Sequence, residues 1–198
     1  VSDPGLAERA VKTVEDAWGQ VDILINNGGG PAMGSFFDHD DEAWLAALQL
    51  NLLSTVRFTK ACVPGMKNRQ WGRIVNITSS LAKEPSAPMV LSATARAGVS
   101  AFSKSVSHEL AVDNITINTI LPGGVKTDRL LSLMQQRADA DGIALDDLVK
   151  TRAENLPIKR FAEPGEIADV VTFLTSERGG YVTGTSIAVD GGLTKSTF

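Results

Sequence analysis

The chain has 198 residues, 19 of them Lys or Arg and 23 Asp or Glu, for a formal charge of −4; that is enough for one domain with a substantial core, and gives no electrostatic footprint for nucleic acid or an anionic membrane. A single cysteine, Cys62, excludes an internal disulfide; set in an apolar helical pattern, it reads as a buried, inert thiol in a reducing cytoplasm. Val1 to Leu6 carry neither a basic segment nor an apolar run, and no stretch approaches the ~20 apolar residues of a spanning helix, so a soluble, cytoplasmic protein with a small-molecule partner is expected.

Ser2-Asp3-Pro4 offers a cap with proline just inside a helix start, and Leu6, Ala10, Val11, Val14 and Trp18 recur at helical spacing up to Gly19. Val21 to Asn26 is a short apolar run that predicts a strand buried on both faces, closed by Asn-Asn-Gly-Gly-Gly. A long helix is predicted from Asp41 to about Met66, a second buried strand over Arg73–Ile77, and a second long helix from Leu91 to about Leu110. Ile115 to Leu121 predicts a third strand stopped by Pro122-Gly123-Gly124. A polar helical stretch follows from about Asp128 to Asn155, then a helix from Glu163-Pro164 to about Ser176 and a last strand over Ser186–Val189.

Strands alternating with long helices predict an α/β fold: a Rossmann-like, doubly wound parallel sheet with helices on both faces, forming a single domain over residues 1–198. Only four strands are predicted, and about twenty residues precede the first one. A G-x-G-x-x-G phosphate turn and its β-α-β unit do not fit in that space. The expectation is therefore a partial domain, lacking the opening strands of its first half. In the strand order of this fold the run Val21–Asn26 would become an apolar sheet edge, covered either by a longer start of the natural product or by another chain.

Several short segments invite a chemical reading, each against a bland one. Gly28 and Gly29 follow a parallel strand, where backbone can approach a flat ligand closely, but a glycine run is also a plain turn. Asn51 is polar among Leu50, Leu52 and Leu53, and taken alone would face solvent. Ser79, at the end of the second strand, would taken alone make a local backbone bond. Pro122 and Gly123 with Val125 and Thr127 would by themselves be a loop and a helix cap. Together and in order, Asn26-Asn27-Gly28-Gly29, Asn51, Gly72 to Ser80, Arg96-Ala97-Gly98, Asn118 to Gly123, and Val182-Thr183-Gly184 with Asp190-Gly191-Gly192 resemble the short-chain dehydrogenase/reductase family, of the 3-oxoacyl-(acyl carrier protein) reductase type.

The resemblance implies an oxidoreductase using NAD or NADP on a carbonyl or alcohol substrate. It makes Asn51 the holder of a water in a proton relay and Ser79 the hydroxyl that binds the substrate oxygen. It places Asn27, Gly28, Gly29, Arg96, Pro122, Gly123, Val125 and Thr127 against the cofactor. The family's acid/base pair is Tyr-x-x-x-Lys, thirteen residues after the serine and directly before Ala-Gly; at those positions this chain has Ser92 and Arg96. A phenol with a pKa near ~10 can be pulled toward neutrality by an adjacent ammonium, whereas a serine hydroxyl cannot do so readily, and a guanidinium fork is not a lysine point charge. Lys83, with Glu84 just after Ser79, is the nearest alternative proton source in sequence. Tyr181 is expected to pack beside the last strand, and His39 and His108 lack metal-ligand spacing, so no metal is expected.

The stretch from Asp128 to Asn155, with Leu130, Leu131, Leu133, Met134, Leu145, Leu148 and Val149, corresponds to the family's substrate lid; its apolar residues suit a greasy substrate or an ordinary core stripe. Three readings follow: an oxidoreductase with a divergent site, a catalytically silent ligand-binding member of the fold, and an oligomeric interaction subunit that no longer binds cofactor. By the same resemblance the long helices starting near Asp41 and Leu91 are the faces of a homo-oligomer, a dimer or tetramer.

Overall fold

The computed structural model describes residues 3–197. Ser2 of the expected cap lies outside them, and helix α1 (Leu6–Trp18) starts after Gly5 rather than at Pro4. The Asp3 carboxylate accepts the Gly5 N–H at 3.0 Å and pairs with the Arg9 guanidinium, so Asp3 organises the turn before the helix. Gly19, at φ 86°, ends the helix in the left-handed conformation that glycine adopts without strain.

The sheet is parallel with order β1-β2-β3-β4: β1 (Ile23–Asn27), β2 (Gly72–Ile77), β3 (Ile115–Pro122) and β4 (Ser186–Val189). The alternation of strands and helices thus yields the expected α/β, Rossmann-like sheet. One face packs on α1, on α3 (Ser54–Arg69) and on α4 (Val90–Ala111) through Val11, Cys62, Met66, Ile74, Leu110, Ile115 and Ile117. The other face packs on α7 (Pro164–Thr175) through Val75, Ile120, Ile167 and Leu174. Neighbouring residues such as Ile74 and Val75 serve opposite cores because strand side chains alternate sides.

Three expectations change. The run Val21–Asn26 does not form a strand buried on both faces: β1 alternates exposed and half-buried residues, with Ile23 at 45% and Ile25 at 39% exposure. It pairs only with β2 among the described strands, and α7 lies over β2 and β3, leaving one face of β1 largely uncovered. The single helix expected over Asp41–Met66 is α2 (Asp41–Leu48), a π-helical turn (Gln49–Leu53) and α3, which ends at Gln70 with φ 54°. The stretch Asp128–Asn155 is two helices, α5 (Asp128–Asp141) and α6 (Leu145–Glu154), because Gly142 takes a left-handed conformation at φ 66°. Met134, Ala138 and Leu148 form a small core between them, so part of the apolar stripe serves the hairpin itself.

Candidate active site

The register pairs Asn27 with Ile77 and Ile77 with Ile120, so β1, β2 and β3 end at one level and their following loops converge. This carboxyl-end edge is where open α/β sheets bind ligands. A cleft of about 290 Å³ opens there, lined by Gly28 to Gly30 after β1, Thr78 and Ser79 after β2, and Pro122 to Val125 with Thr127 after β3. Ser92 and Arg96 reach it from α4 and Arg129 from α5.

Ser79 caps a short 3-10 turn (Ser80–Ala82), its Oγ accepting the Leu81 N–H at 3.2 Å. It therefore makes the local bond anticipated for a lone serine and also stands in the cleft wall. Thr127 caps α5, its hydroxyl oxygen accepting the Leu130 N–H at 3.2 Å, while also lining the cleft. Ser92 is buried, and one helical turn on, the half-buried Arg96 donates from Nε to Ser92 Oγ at 3.1 Å and from Nη2 to the Gly29 carbonyl at 3.3 Å. Burial, and secondarily the Arg129 guanidinium, hold the Arg96 pKa below the ordinary arginine value. Arg129, at the rim, donates from Nη2 to the Gly30 carbonyl at 3.2 Å.

Asn51 and Asn27 fall outside the cleft wall. Asn51 is buried within the π-helical turn, where Nδ2 donates to Ala47 O at 3.2 Å and its own carbonyl accepts from Thr55 Oγ1 at 2.9 Å. Single π-turns inside α-helices concentrate at functional sites, and this one brings the Leu50 carbonyl to 3.5 Å from where a side chain on Gly28 would begin. Asn27 lines a groove on the α7 side of the sheet. Asn26 points the other way, its Nδ2 donating to Asn76 Oδ1 at 2.8 Å, so strand alternation separates two adjacent asparagines that a linear motif groups together.

From Asn76 a buried polar chain runs on. Asn76 Nδ2 donates to Ser103 Oγ at 2.8 Å, Thr119 Oγ1 donates to the same oxygen at 3.0 Å, and Ser103 donates to Val99 O at 2.7 Å. This chain ties β1, β2 and β3 to α4, the helix that carries Ser92 and Arg96. Lys83 is not part of the cleft wall, and the Glu84 carboxylate accepts the backbone N–H groups of Lys195 and Ser196. Tyr181 is fully exposed rather than packed, because it sits in the turn that leads to β4. Among the described residues no group of three His, Cys, Asp or Glu could hold a metal, and no helix is long and apolar enough to cross a membrane.

Sequence reasoning missed Arg129 and Gly30. An arginine at the second position of α5 carries no motif of its own, and only the fold brings it over the glycine run.

A family model described as enoyl-(acyl carrier protein) reductase matches residues 1–194. Nodulation protein G of Azospirillum brasilense is 35% identical over 98% of this chain and 74% of its own length. The 3-oxoacyl-(acyl-carrier-protein) reductase FabG of Vibrio cholerae is 34% identical over 98% of this chain and 75% of its own. The crystal structure of L-sorbose reductase from Gluconobacter frateurii, complexed with NADPH and L-sorbose, superposes with a TM-score of 0.94 at 32% identity, over 98% of this chain and 74% of that one. With the parallel sheet, the cleft at its carboxyl edge and these likenesses together, the chain belongs to the short-chain dehydrogenase/reductase family.

Proposed function

We propose that this chain is an NAD(P)-dependent oxidoreductase that interconverts a carbonyl and an alcohol, using Ser79, Ser92 and Arg96 where its relatives use a serine with Tyr-x-x-x-Lys. The observation that carries the reading is the convergence of Ser79, Ser92, Arg96, Gly28, Gly29 and the Pro122–Thr127 loop on one cleft, although they are spread over 100 residues of sequence.

The cleft fits the nicotinamide half of a dinucleotide. Gly29 has no neighbour within 4 Å of the position a Cβ would take and Gly28 has only the Leu50 carbonyl, at 3.5 Å, so the glycine run is an open backbone floor at the sheet's edge. Gly28, Gly29, Pro122, Gly123, Val125 and Thr127 would hold the ring and its carboxamide, and Arg96 the ribose hydroxyls. Asn27, on the α7 side, would meet a cofactor only beyond the nicotinamide. When bound, such a cofactor supplies or accepts a hydride.

Ser79 orients the substrate oxygen through its hydroxyl hydrogen, since its oxygen already accepts the Leu81 N–H. Ser92 Oγ accepts the Arg96 Nε–H, which leaves the Ser92 O–H to donate at the reacting oxygen. Arg96 stabilises the negative charge that develops there, as a cation held in place by its bonds to Ser92 Oγ and Gly29 O. A serine hydroxyl is a far weaker acid than a phenol, so the proton is drawn through Ser92 from water in the cleft, without the part the resemblance gives to Asn51, which lies outside the cleft wall and bonds Ala47 O. Met33, Met89, Leu130 and Leu133 make the remaining wall apolar, which suits a carbon chain on the substrate.

A homo-oligomer belongs to the same proposal. It is supported by a groove of about 540 Å³ between α3 and α4, lined by Val56, Val63, Phe102, Val106 and Leu110. The whole stretch is read as a single domain of a cytoplasmic protein.

Calorimetric titration with NADH and NADPH, followed by a carbonyl panel read as loss of reduced cofactor, tests the assignment. Saturable binding and turnover that falls in Ser79→Ala and Ser92→Ala support it. Binding without turnover across the panel would favour a silent binding protein, and absence of both would sink the reading.

A further inference from the structure

The cleft holds two guanidinium groups and no carboxylate. None of its lining residues is Asp or Glu, and neither Arg96 nor Arg129 forms an ion pair among the described residues. The two arginines come from different helices and donate to consecutive carbonyls, Arg96 to Gly29 O at 3.3 Å and Arg129 to Gly30 O at 3.2 Å, which sets like charges side by side. Their mutual repulsion is felt at Arg96. Gly30 lets the guanidinium lie close against the backbone: a Cβ there would stand 2.9 Å from Arg129 Nη2 and 3.4 Å from its Cζ, and the side chain would have to shift.

A pair of cations gathered without a counter-ion is destabilised until an anion joins it, and spare N–H groups arranged as planar forks match the paired oxygens of carboxylate and phosphate. We infer that Arg96 and Arg129 form a seat for an oxoanion, the carboxylate or phosphate of a substrate whose reacting oxygen lies at Ser79. The inference rests on the oxidoreductase reading for the second half of that statement, and narrows it: the substrate is an oxo or hydroxy acid, or a phosphate ester, with its carbon chain against Met33, Met89 and Leu133. Arg96 serves both ends of the cleft, through Ser92 toward the reacting oxygen and through its Nη groups, shared with the cofactor's ribose, toward the anion. Arg129 serves the anion alone.

The probes are malonate and inorganic phosphate, titrated into the protein at constant ionic strength with chloride as the control, with and without saturating NADPH, and read as thermal shift and heat. The variant is Arg129→Gln, at an exposed rim position where folding does not depend on the charge. Malonate or phosphate is expected to bind saturably where chloride does not, to remain bound in the presence of saturating NADPH, and to weaken at least about tenfold in Arg129→Gln, the loss expected for one charge-assisted hydrogen bond. NADPH affinity is expected to hold within about twofold on the scale of ordinary surface substitutions.

Three results would overturn the seat: anions no different from chloride, anion binding unchanged in Arg129→Gln, or anions displaced by NADPH with a tenfold loss of NADPH affinity in the variant. The last would assign the arginines to the cofactor's own phosphates. Arg129-dependent malonate binding with no NADPH binding at all would instead sink the oxidoreductase reading and leave the seat standing.

Discussion

Ser103→Ala tests whether the buried polar chain behind the cleft holds the fold together. Ser103 Oγ is the shared acceptor for Asn76 Nδ2 at 2.8 Å and Thr119 Oγ1 at 3.0 Å, and Asn76, Ser103 and Thr119 are all at most 1% exposed. Removing the hydroxyl strands two donors where water does not reach. A buried donor without a partner costs ~1–3 kcal/mol, and the better helix propensity of alanine returns ~0.5 kcal/mol, for a net loss of about 3 kcal/mol. In a chain of this size that lowers Tm by roughly 6–12 °C. Ser105→Ala is the control: its hydroxyl also donates to the carbonyl four residues back, at 2.9 Å, but on the exposed face of the same helix, and the change should stay within about 0.5 kcal/mol. Urea unfolding followed by circular dichroism measures both. A loss below about 1 kcal/mol in Ser103→Ala, or equal losses in the two variants, would refute the reasoning that burial rather than helical back-bonding sets the value.

Cys62 is 2% exposed and burial pushes its thiol up to about 11, with Glu15 adding to the rise. The folded protein should therefore resist thiol reagents at pH 8 and react only on unfolding. Because the folded value exceeds the unfolded one of 9.0, the associated stability is fully present below pH 9 and is lost as pH rises toward 11. The loss is on the order of 2–3 kcal/mol, and Cys62→Ala should lack that slope in a pH series of unfolding curves. Gly123→Ala places a Cβ 2.8 Å from Asp190 Cα and 3.0 Å from its carbonyl, both backbone atoms, so β3 and β4 must part at their ends. A loss of ~1–3 kcal/mol is expected, against little change for Gly29→Ala, which meets nothing within 4 Å; equal stabilities would remove the close approach as the reason for glycine. Ser92→Ala should lower kcat by at least about tenfold with KM little changed, as expected when a group acts in the transition state. A change in KM alone would reassign Ser92 to substrate binding.

The local chemistry of the chain was enough to place most elements. Short apolar runs bounded by turn residues and period-3.6 patterns located β2, β3, β4, α1 and α4 to within a few residues, and Glu163-Pro164 marked the start of α7, where Glu163 and Glu166 form a capping box. Motif order identified the segments that meet in the cleft, because a loop that follows a parallel strand is delivered to the carboxyl edge wherever that strand sits in the sheet. What stayed hidden depended on neighbours remote in sequence. Motif order anticipated that β1 would be an edge, but not that its face would stay open: Ile23 and Ile25 are as apolar as Ile74 and Val75, yet they are exposed because α7 lies over β2 and β3. Asn26 and Asn27 look alike and face opposite sides. The π-turn around Asn51 and the break at Gly142 interrupt patterns that are continuous in hydrophobicity, since periodicity records which residues seek the core and not how the backbone accommodates them. Arg129 joins Arg96 only after a helix hairpin folds back over the glycine run, a proximity that no spacing rule encodes. Sequence by itself determined most of the elements and their order; the tertiary structure alone decided where helices broke, which faces were covered and which charges met.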